Sequence, residues 1–292
     1  MQTATRHDIQ TSHGRIAVET RGHGFPVVFI HGNSACRQVF RKQVASPFLE
    51  GYRLITFDLP GHGDSDDAPD PERTYTRPGL ANLTIELLGE LGVSNAAIVG
   101  ASLGGHVAIE MLAHSAIARG LFLMGTPAVG TNMAEGFRGK PLNGLGSQSE
   151  LTPEQAERFA RTVFGADFER FMLLAIERTD REFRSTLFAA ADRGAGINQR
   201  DALATTRLPT AIVNGNDDQI INLDYVESVP YSNLWRGKCF RISSASHSPF
   251  WETPDFVNFL LSNFLTDLSG KAARTRNHAV ECTPFRRTRR LG

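Results

Sequence analysis

The stretch AIVGASLGGHVAIE, residues 97–110, sets a serine among glycines between an apolar run and a second run of helical spacing. Its centre, Gly100-Ala101-Ser102-Leu103-Gly104, fits the pattern G-x-S-x-G. Glycine-flanked serines also fill ordinary turns, so the pentapeptide alone leaves Ser102 either a turn residue or a reactive hydroxyl. Its place between a strand and a helix favours the second. Glycines let the chain turn so sharply that the serine projects above the sheet edge. A helix beginning at Leu103 would aim free N–H groups and its positive dipole end at the same spot.

Outward from this point, strands and helices alternate. RIAVET, PVVFIHG, RLITFDLPG, AAIVG, RGLFLMG, TAIVNG and KCFRIS read as strands, most of them apolar enough for burial on both faces. PGLANLTIELLGELGV is helical, with Leu80, Leu83, Leu87, Leu88 and Leu91 on one face and Gly92 as stop. The expected class is α/β, a mostly parallel sheet with helices on both faces. Between 128 and 207 the strand signals disappear. Three helical pieces replace them: one opened by Thr152, Pro153 and the capping-box partner Gln155, one over FERFMLLAIER, and one starting near Asp180. The expected organisation is a core over 1–127 and 208–270, a helical cap inserted at 128–207 over the carboxyl edge of the sheet, and a tail at 271–292. The last core helix is expected to have Thr253 as cap, Phe256, Leu260, Phe264 and Leu268 as its buried stripe and Gly270 as stop.

A serine nucleophile needs a base. Of the four histidines after Ser102, His106 and His114 lie on the helix that follows it and suit packing or local hydrogen bonds, and His278 falls in the tail. His247, in RISSASHSPFWETP, lies on a loop between the last strand and the last helix and is the candidate. The acid that orients it should lie between Ser102 and His247 in the chain. IVNGNDDQIIN offers Asp217 and Asp218; the spacing from Gly215 points to Asp218, with Asp217 closing the turn on its own backbone. For the oxyanion, the N–H groups of Leu103 and of Asn33, in VFIHGNSACR, are the natural donors. His31 supports that loop. The side chain of Asn33 and Ser34 either line the pocket or serve the loop alone. FDLPGHGDSD, residues 57–66, has neither a phosphate-loop ending nor a metal-binding partner, and reads as a structural turn held by Asp58. No metal and no other cofactor is implied.

Composition bounds the rest. The 292 residues are 41% hydrophobic and 21% charged, which is globular, and no apolar run approaches the ~20 residues that span a bilayer. The N-terminus shows no signal-peptide pattern, so the expected location is the cytoplasm, with no membrane partner. Three scattered cysteines make no zinc or redox pair. Residues 271–292 hold seven of the 31 Lys and Arg but one of the 31 Asp and Glu, so they carry +6 and the remainder −6. Without interleaved aromatics or a folded motif, this basic tail reads as a disordered extension, and no nucleic-acid partner is expected.

HGNS at 31–34, DLPGHG at 58–63, GASLGG at 100–105, NGNDD at 214–218 and SHSPFWE at 246–252 stand in the order of the α/β-hydrolase superfamily, which this chain resembles over roughly residues 10–268. The elbow holds Ser102, unlike the aspartate-nucleophile branches. TSHGRIAVET, GINQRD and NLWRGK add a resemblance to the metal-independent N-acyl-homoserine lactonases of that fold. The resemblance implies a serine hydrolase opening a lactone or ester through an acyl-enzyme. General carboxylesterases, C–C bond hydrolases and a non-turnover receptor are the alternatives on the same fold. It also implies an acyl pocket bordered by residues 101 and 159, where Ala101 and Phe159 replace the expected aromatic residue and tyrosine.

Overall fold

The structure, a computed structural model, describes residues 4–269. The tail expected at 271–292, with His278, and the Gly270 stop lie outside the described residues. Within them run β1 (Thr5–Thr11), β2 (Gly14–Arg21), β3 (Phe25–Ile30), β4 (Tyr52–Phe57), β5 (Ala96–Ala101), β6 (Ala118–Met124), β7 (Thr210–Gly215) and β8 (Phe240–Ile242). They form one sheet in the order β1-β2-β4-β3-β5-β6-β7-β8. The pairs from β4 through β8 are parallel, while β2 runs antiparallel to both β1 and β4.

Chain order reverses at β3, which has β4 on one side and β5 on the other. At such a switch point the loops leaving adjacent strands diverge to opposite faces and open a crevice. Ile30 pairs with Gly100, and Ala101 with Met124, so β3, β5 and β6 release their loops at one level. Central strands are apolar on both faces because helices cover both: Val27 to Ile30 and Ala96 to Val99 are fully buried.

The helix Arg77–Glu90 starts where Thr76 accepts the Gly79 N–H at 2.9 Å, and it buries Leu80, Leu83, Leu87 and Leu88. Leu91 follows it half-buried, and Gly92 turns the chain at φ 66°. Between β6 and β7 lie the helices Pro153–Phe164, Arg170–Arg178, Arg181–Asp192 and Gln199–Thr205. The Thr152–Gln155 capping box forms as expected, and Asp180 caps the third of these helices. The fourth, capped by Asn198, was not anticipated; it packs against the helix Leu103–Glu110, where Gln199 Nε2 donates to His106 O at 3.0 Å.

Two expectations for the last helix, Pro254–Ser269, need correction. Its buried face is Val257, Asn258, Leu260, Leu261, Phe264 and Leu265, whereas Phe256 is 50% exposed. Thr253 sits at the cap position, its carbonyl accepting the Val257 N–H, but its hydroxyl donates backwards to Pro249 O at 3.0 Å. The helix Leu103–Glu110 meets β3 so closely that a Cβ on Gly104 would lie 2.0 Å from Ile30 O. A Cβ on exposed Gly89 would meet nothing within 4 Å. Gly104→Ala is therefore expected to cost about 3 kcal/mol or more in denaturant unfolding, since backbone cannot yield as a side chain does. Gly89→Ala, in a helix interior, is expected to stabilise by about 0.5–1 kcal/mol.

Candidate active site

Ser102 follows β5 at φ 52° and ψ −117°, a left-handed conformation that costs a non-glycine residue of order 1–3 kcal/mol. Backbone bonds hold it there. Its N–H donates to Met124 O at 2.8 Å, and its carbonyl accepts from the Gly105 N–H and the Thr126 hydroxyl, both at 2.9 Å. The turn closes only with small residues around it: a Cβ on Gly100 would sit 2.5 Å from Gly104 O, and one on Gly105 2.1 Å from Thr126 Oγ1. Leu103 opens the helix, so its N–H is among the four that no helix can satisfy internally.

The loop after β7 and the loop after β8 bring an acid to a histidine. His247 Nδ1 lies 2.8 Å from Asp218 Oδ2, with both side chains almost wholly buried. The other carboxylate oxygen, Oδ1, accepts the N–H groups of Ile220 at 2.7 Å and Ile221 at 3.1 Å. Burial pushes the Asp218 pKa up, but the charge and hydrogen bond of His247 and the two backbone donors outweigh it and hold the group below its ordinary value. An ionised carboxylate only accepts, so Nδ1 carries the proton and Nε2 is left as the basic nitrogen. The turn-closing bonds expected of Asp217 are made by Asp218 instead; Asp217 is exposed, and Asn216 Nδ2 donates to its Oδ1 at 3.3 Å. Glu252 anchors the histidine loop by accepting from the Ser246 N–H and hydroxyl, each at 2.8 Å.

The loop after β3 is fixed from below. His31 accepts the Leu59 N–H at Nε2 (2.9 Å) and donates from Nδ1 to Gly32 O (2.8 Å), the supporting role expected of it. Asp58 likewise gathers the N–H groups of Arg37 and Asp64 and pairs with the Arg37 guanidinium. Of the two roles left open for Ser34, its hydrogen bonds are those of the loop. At φ 57° it is not among the residues that border the cavity, and it donates its N–H to His62 Nε2 and its hydroxyl to Asn33 Oδ1 while accepting from Arg184 Nη1. Asn33 borders the cavity and also donates from Nδ2 to Gly146 O at 3.0 Å.

A cavity of about 300 Å³ joins these parts. Gly32, Asn33, Ala101, Ser102, Leu103 and His247 border its floor. Phe159, Val163, Phe164, Leu187 and Phe188, from the helices between β6 and β7, form an apolar wall. Ala101 and Phe159 thus border one space with Ser102. Sequence reasoning missed Arg77 and His106, which border it too. His106 was assigned a packing role, and nothing at the start of the Arg77 helix signals that its first residue faces a cavity. His106 Nδ1 lies 2.7 Å from Gln199 Oε1, and burial lowers its pKa to about 4, so the ring is neutral. No group of three or more potential metal ligands occurs among the described residues, nor any helix long and apolar enough to cross a membrane. Cys36 and Cys239 are free thiols whose burial pushes their pKa values up to about 12 and about 11, which leaves them inert at neutral pH.

A family model described as the alpha/beta hydrolase family matches residues 27–258, spanning β3, the elbow at Ser102, Asp218 and His247. The chain belongs to the alpha/beta hydrolase family. Among solved members, a mutant of the N-acyl homoserine lactonase AidH complexed with N-hexanoyl homoserine lactone is 40% identical, with a TM-score of 0.89 over 91% of this chain and 99% of that one. AidH complexed with N-butanoyl homoserine is 39% identical, with a TM-score of 0.89 over 92% of this chain and 99% of that one. The AB hydrolase superfamily protein YisY of Bacillus subtilis (strain 168) is 26% identical over 273 residues, 88% of this chain and 98% of that protein.

In this hydrolase, burial lowers the pKa values of His13, His31, His62 and His106 below 6.5. Depressed pKa values mean that the unfolded chain takes up protons first as the pH falls, so stability is full above about pH 6.5 and declines toward pH 4. Thermal unfolding is expected to show a falling midpoint across that window, less steep in His106→Gln. A midpoint flat from pH 7 to pH 4.5 would contradict this account.

Proposed function

We propose that this chain is a serine hydrolase that opens N-acyl-homoserine lactones through an acyl-enzyme, with Ser102 as nucleophile, His247 as base and Asp218 as the acid that orients it. The observation that carries the reading is the joining, in one cavity, of a strained serine, a buried histidine–carboxylate pair and an apolar wall. Similarity to AidH over 91% of the chain supports the lactone as substrate.

His247 Nε2 takes the Ser102 proton as Oγ attacks the lactone carbonyl, and Asp218 stabilises the imidazolium that results. The N–H groups of Leu103 and Asn33 receive the oxyanion. Collapse expels the ring oxygen, which takes the proton from His247. Because that alcohol stays tethered to the acyl group, the acyl-enzyme carries its own leaving group until water, deprotonated by the same histidine, releases the hydroxy acid. The segment 128–207 acts as the cap, and its Phe159 together with Ala101 receives the substrate; no metal or other cofactor takes part.

Ser102→Ala is expected to abolish ring opening of N-hexanoyl homoserine lactone, followed by chromatography, without changing the thermal midpoint by more than a few degrees. Asp218→Asn should lower kcat by about 10⁴-fold, as loss of the orienting carboxylate does elsewhere, with Asp217→Asn close to the parent protein. Turnover retained in folded Ser102→Ala would overturn the mechanism. A kcat/KM for simple aryl esters well above that for the lactone would instead favour a general carboxylesterase.

A further inference from the structure

His106 borders the cavity that holds Ser102 and His247, yet the proposed reaction gives it nothing to do. Its backbone N–H donates to Ser102 O at 3.3 Å, so it stands one turn beyond the nucleophile on the same face of the helix, where Cβ atoms are about 5–6 Å apart. Gln199, fully buried, grips the residue from the other side. Its Nε2 donates to His106 O at 3.0 Å, so the end that meets His106 Nδ1 at 2.7 Å is the carbonyl oxygen. A carbonyl only accepts, and Nδ1 therefore carries the ring proton. Because burial lowers the pKa to about 4, the ring is neutral and Nε2 is left as an acceptor that cannot donate.

That nitrogen is not closed off. His106 is bonded through Nδ1 and its backbone alone, and Nε2 is not one of the four side-chain atoms among the described residues that are buried without a partner. It therefore keeps accessible surface, and the space beside the half-buried ring is the cavity, which Phe137, 6.4 Å away between ring centroids, borders as well. The other polar side chains there are engaged or of another kind. Asn33 is bonded at both ends of its amide, Arg77 only donates, and Lys140 and Asp192 are exposed to water. The Ser248 hydroxyl can turn to donate or to accept. His106 Nε2 is thus a fixed, uncharged acceptor in a largely apolar space. An N-acyl-homoserine lactone carries one donor, its amide N–H, and every oxygen in it accepts. The N–H sits on the carbon next to the scissile carbonyl, its nitrogen about 2.5 Å from the carbon that Ser102 would attack. A donor brought into such a space without an acceptor is costly.

We infer that His106 is a specificity-determining residue whose Nε2 accepts the amide N–H of the acyl-homoserine lactone, so that the cavity favours α-amido over α-acyloxy lactones. This rests on the lactonase reading for the identity of the ligand, though not for the acceptor. No covalent step is involved.

The test is calorimetric binding of N-hexanoyl homoserine lactone and of α-hexanoyloxy-γ-butyrolactone, in which an ester oxygen replaces the N–H, to Ser102→Ala protein, and to the same protein carrying His106→Asn or His106→Phe. One neutral hydrogen bond corresponds to roughly a three- to tenfold preference for the amide. That preference is expected to collapse to parity with either substitution. Asparagine can still donate to Gln199 but has no atom where Nε2 stood, which keeps the test decisive where phenylalanine prevents folding. Equal affinity for the two ligands in Ser102→Ala protein overturns the inference. So does a preference that survives both His106 substitutions, one that disappears with Ser248→Ala instead, an equal loss for both ligands, or binding of neither. Binding with the expected preference but no turnover by the unaltered protein would sink the hydrolase reading and leave the histidine's role standing; turnover without preference does the reverse.

Discussion

The contact on which the rest of the structure depends is the near-touching of the helix Leu103–Glu110 and the end of β3, where the Gly104 Cα is so near Ile30 O that a methyl group would be placed 2.0 Å from it. Nothing but a hydrogen is accommodated there. With Gly100 against Gly104 O and Gly105 against Thr126, the helix is drawn back over the strands it has just left. That closeness forces Ser102 into its left-handed conformation and brings its side chain beside the loop at Gly32 and Asn33. Strain at the serine is thus sustained by backbone packing over three strands, and it puts the helix's unpaired N–H groups on the same side as the hydroxyl.

The second requirement is a carboxylate that stays charged out of water. Asp218 meets it by using both oxygens, one for the histidine and one for two successive backbone N–H groups. A buried carboxylate with fewer donors would protonate and lose its hold on the histidine. The turn that fixes the loop and the bond that orients His247 are therefore made by one side chain. For the same reason the neighbouring Asp217 has no share in either; its side chain faces solvent across a tight turn.

Much of this was legible because it follows from short-range rules. The buried parallel strands announce themselves as continuous apolar runs, and the elbow, the HGNS loop and the Asp218 turn carry glycines where close approach demands them. What escaped did so for physical reasons. β1 lies at the sheet edge, and TRHDIQT offers one apolar residue, Ile9, itself only half-buried, so it carries no hydrophobic signal. Gln199–Thr205 is seven residues long and buries only Gln199 and Leu203. In the last helix a ladder of every fourth residue drifts around the axis, which leaves Phe256 in solvent and brings Val257 and Leu261 inward. Ser34 and Arg77 depend on tertiary partners, Arg184 in one case and the 195–197 loop in the other, and local sequence holds no trace of either.

In the proposed hydrolase reading, those tertiary partners also explain how catalysis and selectivity can be divided between parts of one cavity. The helices between β6 and β7 are fastened to the core loops by polar ties: Asn33 to Gly146 O, Arg184 to Ser34, Tyr75 to Asp180 and Arg178 to Asp67. The Arg178 pair is exposed and worth little, whereas the buried Arg184 fork would leave an unpaired charge if broken, so it is the tie that sets the wall's position. With the position fixed in this way, the apolar side chains that project from the wall, Phe159, Val163 and Phe188, can change shape without moving Ser102, Asp218 or His247. The floor contributes reactivity through backbone geometry that tolerates almost no substitution. In that reading the wall contributes recognition through side chains that do.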